Sequence, residues 1–282
     1  MNDRSHGEAP LACSVRRCGR PLARRDRAFI CQAGHSFDIA RSGYVNLLQP
    51  QDRRSPSAGD SKAVVEARVE LLAAGVGKTL IDEVARRVAS LGLARGAVAV
   101  DLGSGSGDAL AAIGSRLEVT GVGIDVSAAA VEHAARCFPT LTWVAANADR
   151  RLPLLDRSVD VAISIHGRRN PREAARVLGT GGCLIVVLPA PDDLIELRAI
   201  VQGEGSIRER TERMLAEHDP FFAPAERASI RETLEVDRRS LLNLLRITYR
   251  GARASAAERV KSLQAMRITF SSDLFVLRLR RV

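Results

Sequence analysis

Cys13, Cys18, Cys31 and His35 place four metal-ligand side chains within 23 positions, in the spacing Cys-x4-Cys-x12-Cys-x3-His. Two close pairs separated by a dozen residues suit tetrahedral zinc. Each short loop supplies two ligands, and the four close the coordination sphere. Gly19 and Gly34 sit beside the second and fourth ligands, where knuckle turns need backbone freedom. Four protein ligands leave no open position, so the site reads as structural Zn2+ rather than catalytic metal. Arg16, Arg17, Arg20, Arg24, Arg25 and Arg27 lie among the cysteines. Six guanidinium groups on a metal-held module form a compact cationic face matched to phosphates.

A second constellation is glycine-rich. Asp101-Leu-Gly103-Ser-Gly105-Ser106-Gly107 follows a strongly apolar run, and Asp125 ends the next one, 20 residues beyond Gly105. A loop of this kind lets backbone approach a cofactor. A carboxylate at the second strand end is placed to accept from two ribose hydroxyls. The dinucleotide pattern is G-x-G-x-x-G, with pyrophosphate on the helix N-terminus; here the pattern is D-x-G-x-G-x-G. Asp101 would repel a pyrophosphate and favour a cofactor bearing an amine and a sulfonium charge.

These residues require elements to position them. Apolar runs at 97–103, 119–125, 141–146, 159–165 and 183–189 alternate with helical stretches near 108–117, 128–137, 171–179 and 192–202. That alternation predicts βαβ units and a parallel sheet. Two helices are expected upstream, one from Asp60–Ser61 to about Ala74 with Gly75 as its stop, the other over Leu80–Leu91. Beyond residue 203, helical pieces near 206–217 and 240–247 precede a run at 273–281, expected as an antiparallel edge strand. Trp143, Cys137 and Cys183 are expected as packed side chains.

The chain of 282 residues is long enough to bury an ample core without disulfides, and no apolar run approaches membrane-spanning length. Five cysteines, three of them in the metal cluster, and no apolar leader in the first thirty residues point to a reducing, cytoplasmic setting. Net charge is +9, unevenly placed: +5 over residues 1–54, −1 over 55–202 and +5 over 203–282. Two basic flanks around a neutral centre suit a catalytic core with polyanion-binding surfaces attached. Aromatic residues are 4%, too few for a base-stacking sheet surface.

The glycine segment resembles the S-adenosylmethionine (SAM) loop of Rossmann-like methyltransferases. The wider order is more specific. Zinc knuckles are followed by His35-Ser-Phe37-Asp38-Ile-Ala40-Arg-Ser-Gly43-Tyr44-Val-Asn46, then Gly59-Asp60-Ser61, Ala67-Arg68, Gly75 and the SAM-type loop. From about residue 11 onward this resembles the 23S rRNA guanine-N1 methyltransferases, which include housekeeping enzymes and resistance enzymes of macrolide producers. The resemblance implies an α/β, Rossmann-like doubly wound methyltransferase sheet with a small N-terminal zinc-binding domain. It also implies methyl transfer from SAM to N1 of a guanine in a 23S rRNA hairpin, an RNA-binding zinc module, a homodimer and no membrane association. The expected division is a floppy terminus at 1–10, a zinc-binding RNA-recognition domain at 11–48, a linker at 49–60 and the methyltransferase domain at 61–282.

Site residues follow from the same resemblance. Asp101, Gly103, Gly105, Ser106, Asp125, Asn147, Ala148 and Asp193 are expected to bind the cofactor. Asn147 stands where an Asp facing the adenine is common, and Asp193 where the family places a His. The fourth-strand end adjoins the methyl group in this fold, which puts the base beside His166–Asn170. His166 is the expected general base, Arg169 the group stabilising charge at O6, and Asn170 a partner for the guanine edge. Other departures are Cys-x4-Cys for the usual first pair, Gly77 for an aromatic, and Gly167-Arg168 after His166. Two alternatives stand beside this reading. One is a methyltransferase of small molecules, which leaves the zinc module and basic flanks unexplained. The other is a zinc-bearing RNA-binding protein whose methyltransferase domain is inert.

Overall fold

The five apolar runs become five parallel strands at the centre of one sheet. The computed structural model describes residues 8–50, 59–167, 169–202, 210–248 and 264–280. Most of the expected terminus, the middle of the expected linker, Arg168 and the start of the helical piece near 206 lie outside the described residues. The central strands are β5 (Ala97–Leu102), β6 (Val119–Asp125), β7 (Thr142–Ala145), β8 (Val159–Ile165) and β9 (Leu178–Pro189). Every residue of β5 is buried, as expected of a strand covered on both faces, and its near-continuous apolar sequence meets that demand.

The full sheet has eight strands in the order β10-β11-β9-β8-β5-β6-β7-β4. From β5 the chain steps outward through β6 to β7, then returns to the other side of β5 for β8 and β9. That reversal leaves a crevice beyond the carboxyl ends of β5 and β8, the place where open α/β sheets bind ligands. The helices α1 (Lys62–Ala73), α2 (Lys78–Ala89), α3 (Asp108–Gly114), α4 (Ala128–Cys137) and α5 (Pro171–Val177) match the expected ones to within a few residues. Ser127 caps α4 by accepting from the Ala130 N–H at 3.1 Å. Trp143 is buried in β7, its indole N–H donating to Phe138 O at 2.9 Å, and Cys183 is buried in β9, but Cys137, expected as packed, is exposed at the C-terminal end of α4.

Both ends of the sheet differ from expectation. The late strand, β11 (Ala265–Leu279), is antiparallel as expected, but it is interior. The edge belongs to β10 (Phe222–Asp237), a 16-residue strand paired with β11 along its length. Its polar sequence conceals it: half-buried Ala228, Ile230, Glu232 and Leu234 alternate with exposed Arg227, Ser229, Arg231 and Thr233. Helices α6 (Ile195–Gln202), α7 (Thr211–His218) and α8 (Arg238–Thr248) complete this half.

At the other end, β1 (Leu22–Arg25), β2 (Ala28–Cys31) and β3 (Ser36–Asp38) form a small antiparallel sheet. The next strand, β4 (Val45–Asn46), instead runs parallel to β7 as the far edge of the large sheet. Leu11 bridges to Leu154, and the Ala12 N–H donates to Pro153 O at 2.9 Å. Leu11, Cys13, Leu22 and Cys31 share one buried cluster with Val144, Leu152 and Leu154. The small sheet therefore packs on the large one through a continuous apolar core.

Candidate cofactor cavity and metal cluster

The cysteine–histidine spacing closes in space. Cys13 and Cys18 come from the turn before β1, Cys31 ends β2, and His35 follows the next turn. Their ligand atoms all lie within 4.8 Å of one another. His35 Nδ1 is 3.4 Å from both Cys13 Sγ and Cys31 Sγ, and Cys18 Sγ is 3.9 Å from Cys31 Sγ. A zinc tetrahedron with bonds of about 2.3 Å to sulfur and about 2.0 Å to nitrogen has edges of about 3.8 Å and 3.5 Å. The four residues thus fit zinc in donor type and spacing, and offer no fifth open position.

The second site is a cavity of ≈ 470 Å³ at the switch point. Loops from four successive strand ends meet there. Gly103–Asp108 comes from β5, Asp125 and Val126 from β6, Asn147–Asp149 from β7, and Ile165–Gly167 from β8. Asp125 organises two of them. Its Oδ2 accepts from the Gly105 N–H at 2.9 Å, and its Oδ1 accepts from the Ser127 N–H at 2.7 Å. Ser106 Oγ donates to Asp108 Oδ2, and Asn147 Oδ1 accepts from the Asp149 N–H. The opposite wall is apolar, built by Leu72, Val76 and Leu80 near α1 and α2, by Leu244 and Ile247 of α8, and by Ile230 and Phe270.

Charge in the cavity is distinctive. Asp101 is 2% exposed, and its Oδ1 has no hydrogen-bond partner. Burial, reinforced by the neighbouring Asp125 charge, pushes its pKa up to about 7. Burial also raises Asp125, against the donors that hold it. Asp193 is pushed up to about 6 by burial while its Oδ1 accepts from the Ser271 N–H at 3.0 Å. His166 is exposed on the cavity wall. Desolvation, with Arg68 and Arg210, lowers its pKa to about 4. Its Nε2 lies 3.0 Å from Ser272 Oγ.

The raised Asp101 pKa has a sign that can be tested. The folded chain holds its proton at a pH where the unfolded chain has lost it, so stability declines as pH rises from about 4 towards 7. In the ligand-free protein, Asp101→Asn is expected to flatten that decline and to raise the melting temperature at pH 8. Thermal unfolding across pH 4–8 checks this. An unchanged pH profile contradicts it.

Of the residues expected at the cofactor, Asp101, Gly103, Gly105, Ser106, Asp125, Asn147, Ala148 and Asp193 all line this cavity, and so does His166. Arg169 and Asn170 are not on its wall. The Arg169 guanidinium turns back to Gly167 O at 3.0 Å. Asn170 caps α5, accepting from the Glu173 N–H at 3.2 Å and donating to Asp149 O. Sequence reasoning missed Arg68 as a site residue, together with the apolar wall from α8, β10 and β11. Arg68 carried a usable signal, a cation seven residues after the Gly59–Ser61 turn. The wall carried none, because the polar sequence of β10 does not read as a strand.

Comparison with known proteins places both halves. A zinc-ribbon family described as RlmA, N-terminal, matches residues 12–56, and a methyltransferase-domain family matches residues 99–182. The 23S rRNA (guanine(748)-N(1))-methyltransferase of Streptomyces fradiae is 37% identical over 229 residues, 79% of this chain and 80% of that one. A Bacillus subtilis protein bearing a 23S rRNA (guanine-N(1)-)-methyltransferase name is 31% identical over 263 residues, 89% and 90% of the two chains. The crystal structure of a methyltransferase-like protein from Bacillus halodurans superposes with a TM-score of 0.52 at 15% identity, covering 69% of this chain and 97% of that one. This last likeness concerns the fold alone. Identity of this extent over 80–90% of the relatives' length, with the Cys3His cluster and the switch-point cavity both in place, establishes that the chain belongs to the 23S rRNA (guanine-N1)-methyltransferase family.

Proposed function

We propose that the protein transfers a methyl group from SAM to N1 of a guanine in a hairpin of 23S rRNA, with its zinc module as an RNA-binding surface. The observation that carries this is the joining, in one apolar core, of a zinc-type cluster surrounded by arginines and an acidic cavity at the switch point. The relatives' names supply the base and the atom. The homodimer and the division into domains at 11–48 and 61–282 rest on the family resemblance.

SAM, when bound, supplies an electrophilic methyl group on a sulfonium. The cavity residues fit such a ligand. The unpartnered Asp101 Oδ1 is an acceptor for an ammonium, and that pairing would favour its ionised form. Asp125, already fixed by two backbone donors, keeps lone pairs for ribose hydroxyls. Asn147 and Ala148 border the adenine end. His166 and Asp193 flank the entry for the base. At a pKa of about 4, His166 holds the guanine by hydrogen bonding rather than removing its proton. Arg169 and Asn170 then act by shaping the β8–α5 turn. Most of the rate comes from approximation and orientation of N1.

Arg16, Arg17, Arg20, Arg24, Arg25 and Arg27 are all exposed, and none enters an ion pair among the described residues. Arg151 reaches the same module, its Nη2 lying 3.4 Å from where a Gly19 Cβ would stand. Arg151 and Arg172 also line a cleft beside it. Replacing Arg16, Arg17, Arg24 and Arg25 by Ala is expected to leave SAM affinity near that of the parent and to weaken RNA binding. The salt slope should become shallower by up to about 0.7–0.9 for each phosphate no longer neutralised. Filter binding of a 23S rRNA fragment over a salt series measures both quantities.

The reaction itself is tested by primer extension on rRNA incubated with protein and SAM. An N1-methyl blocks Watson–Crick pairing, so a new stop at a guanine is expected. Absence of any stop at low salt, with ready methylation of a small metabolite, overturns the proposal.

A further inference from the structure

Arg68 is the one cationic side chain on the cavity wall among the described residues; every other charged group lining it is a carboxylate. Helix α1 carries it across the glycine loop, where a Cβ at Gly105 would lie 3.8 Å from its Cδ and Nε. Its Nη2 donates to Asp60 Oδ2 at 3.1 Å. Its Nε is buried without a partner. The side chain keeps 39% of its surface exposed, and it lines the cavity.

Asp60 is itself anchored. Its carbonyl accepts from Ser127 Oγ at 2.6 Å, and Ser127 is the residue whose N–H donates to Asp125. A chain of hydrogen bonds therefore fixes Arg68 relative to the cofactor loops.

A guanidinium has five N–H donors in a fixed fork, and a single carboxylate oxygen satisfies one of them. The buried Nε is costly to leave without an acceptor, and a ligand anion in the cavity would supply one. The cofactor proposed above carries two positive charges and one carboxylate. An acidic wall accommodates the first two and repels the third, except at Arg68.

We infer that Arg68, oriented by Asp60, receives the α-carboxylate of the cofactor's amino-acid arm. The inference rests on SAM being the cofactor. It separates a ligand-binding role for Arg68 from a purely structural one, in which the Arg68–Asp60 pair only holds α1 to the Gly59–Ser61 turn.

Calorimetry on the full-length, zinc-loaded protein without RNA distinguishes the two. The probes are SAM and decarboxylated SAM, which keeps the ammonium and sulfonium but lacks the carboxylate. Arg68→Ala is expected to weaken SAM binding by roughly 10- to 100-fold, as for loss of a charge-assisted pair. It should change affinity for the decarboxylated ligand less than about threefold. Arg68→Lys, which keeps the charge without the fork, should fall between the parent and Arg68→Ala for SAM. Equal losses for both ligands, or unchanged SAM affinity in Arg68→Ala, overturn the inference while leaving the cofactor assignment standing. A parent protein that binds neither ligand removes the cofactor assignment itself, and this inference with it.

Discussion

Cys31→Ser is expected to release the metal and unfold residues 11–47, the largest structural effect of any single substitution considered. The parent should carry about one zinc per chain. Binding free energy in small zinc modules is folding free energy, about 10–16 kcal/mol in isolated peptides. The three strands β1–β3 have four, four and three residues, too little sheet to hold together unaided. The damage should also spread. Cys13 and Cys31 are buried in the cluster that contains Val144 of β7 and Leu152 and Leu154 beyond it. Loss of the knuckles exposes that surface and loosens the β7–β4 edge. Hydrogen exchange should therefore accelerate across 11–47 and, less strongly, at β4 and β7, while β5, β8 and β9 stay protected. Metal analysis of the parent under reducing conditions gives the decisive check. A metal-free chain whose N-terminal sheet is intact contradicts the zinc assignment.

The extent to which this molecule was legible in its sequence depended on whether chemistry or context set each feature. The metal cluster was legible because ligand identity and spacing are local, and a closed tetrahedron leaves little freedom. The parallel core was legible because strands covered on both faces must be largely apolar, as β5 and β8 are. β10 was hidden for the opposite reason. At the sheet edge only one face is covered, and Arg, Glu and Ser occupy so much of Phe222–Asp237 that the alternation is faint. Missing β10 moved β11 to the edge in the expected topology, and removed the apolar wall from the expected cavity.

The residues expected beside the guanine show a second kind of limit. His166, Arg169 and Asn170 adjoin in sequence, yet the turn after β8 sends them apart. His166 takes φ +50 and faces the cavity. Asn170 caps α5 ahead of Pro171, an arrangement the Asn-Pro pair favours by itself. The cap was readable from sequence, and it competes with a role at the guanine edge for the same side chain. The lowered pKa of His166 comes from its three-dimensional surroundings, desolvation together with Arg68 and Arg210, which no spacing rule reports.

Gly103→Val is expected to abolish SAM binding while the fold survives, and Asp125→Ala to weaken it by about 1.5–3 kcal/mol. Gly103 has φ +83, and its Cβ direction opens on the cavity, with Gly167 Cα at 3.8 Å the only atom within 4 Å among the described residues beyond its chain neighbours. A valine there carries backbone strain of about 1–3 kcal/mol. Its methyl groups would occupy the space between the β5 and β8 loops. Nothing in the core is displaced, so melting temperature should fall by only a few degrees while affinity disappears. Asp125 is a different case. Its carboxylate accepts from Gly105 and Ser127 as well as facing the cavity, so Asp125→Ala removes a ligand partner and orphans two backbone donors. Asp125→Asn separates these effects. Its amide oxygen can still accept from one donor, but the charge that strengthens bonds to ribose hydroxyls is gone. An affinity for Asp125→Asn between those of the parent and Asp125→Ala, with melting nearer the parent, assigns the difference to the ligand. If Gly103→Val and both Asp125 variants bind SAM as the parent does, the glycine loop is only a structural turn. The methyl-transfer proposal for this cavity would then fail, whatever the zinc module binds.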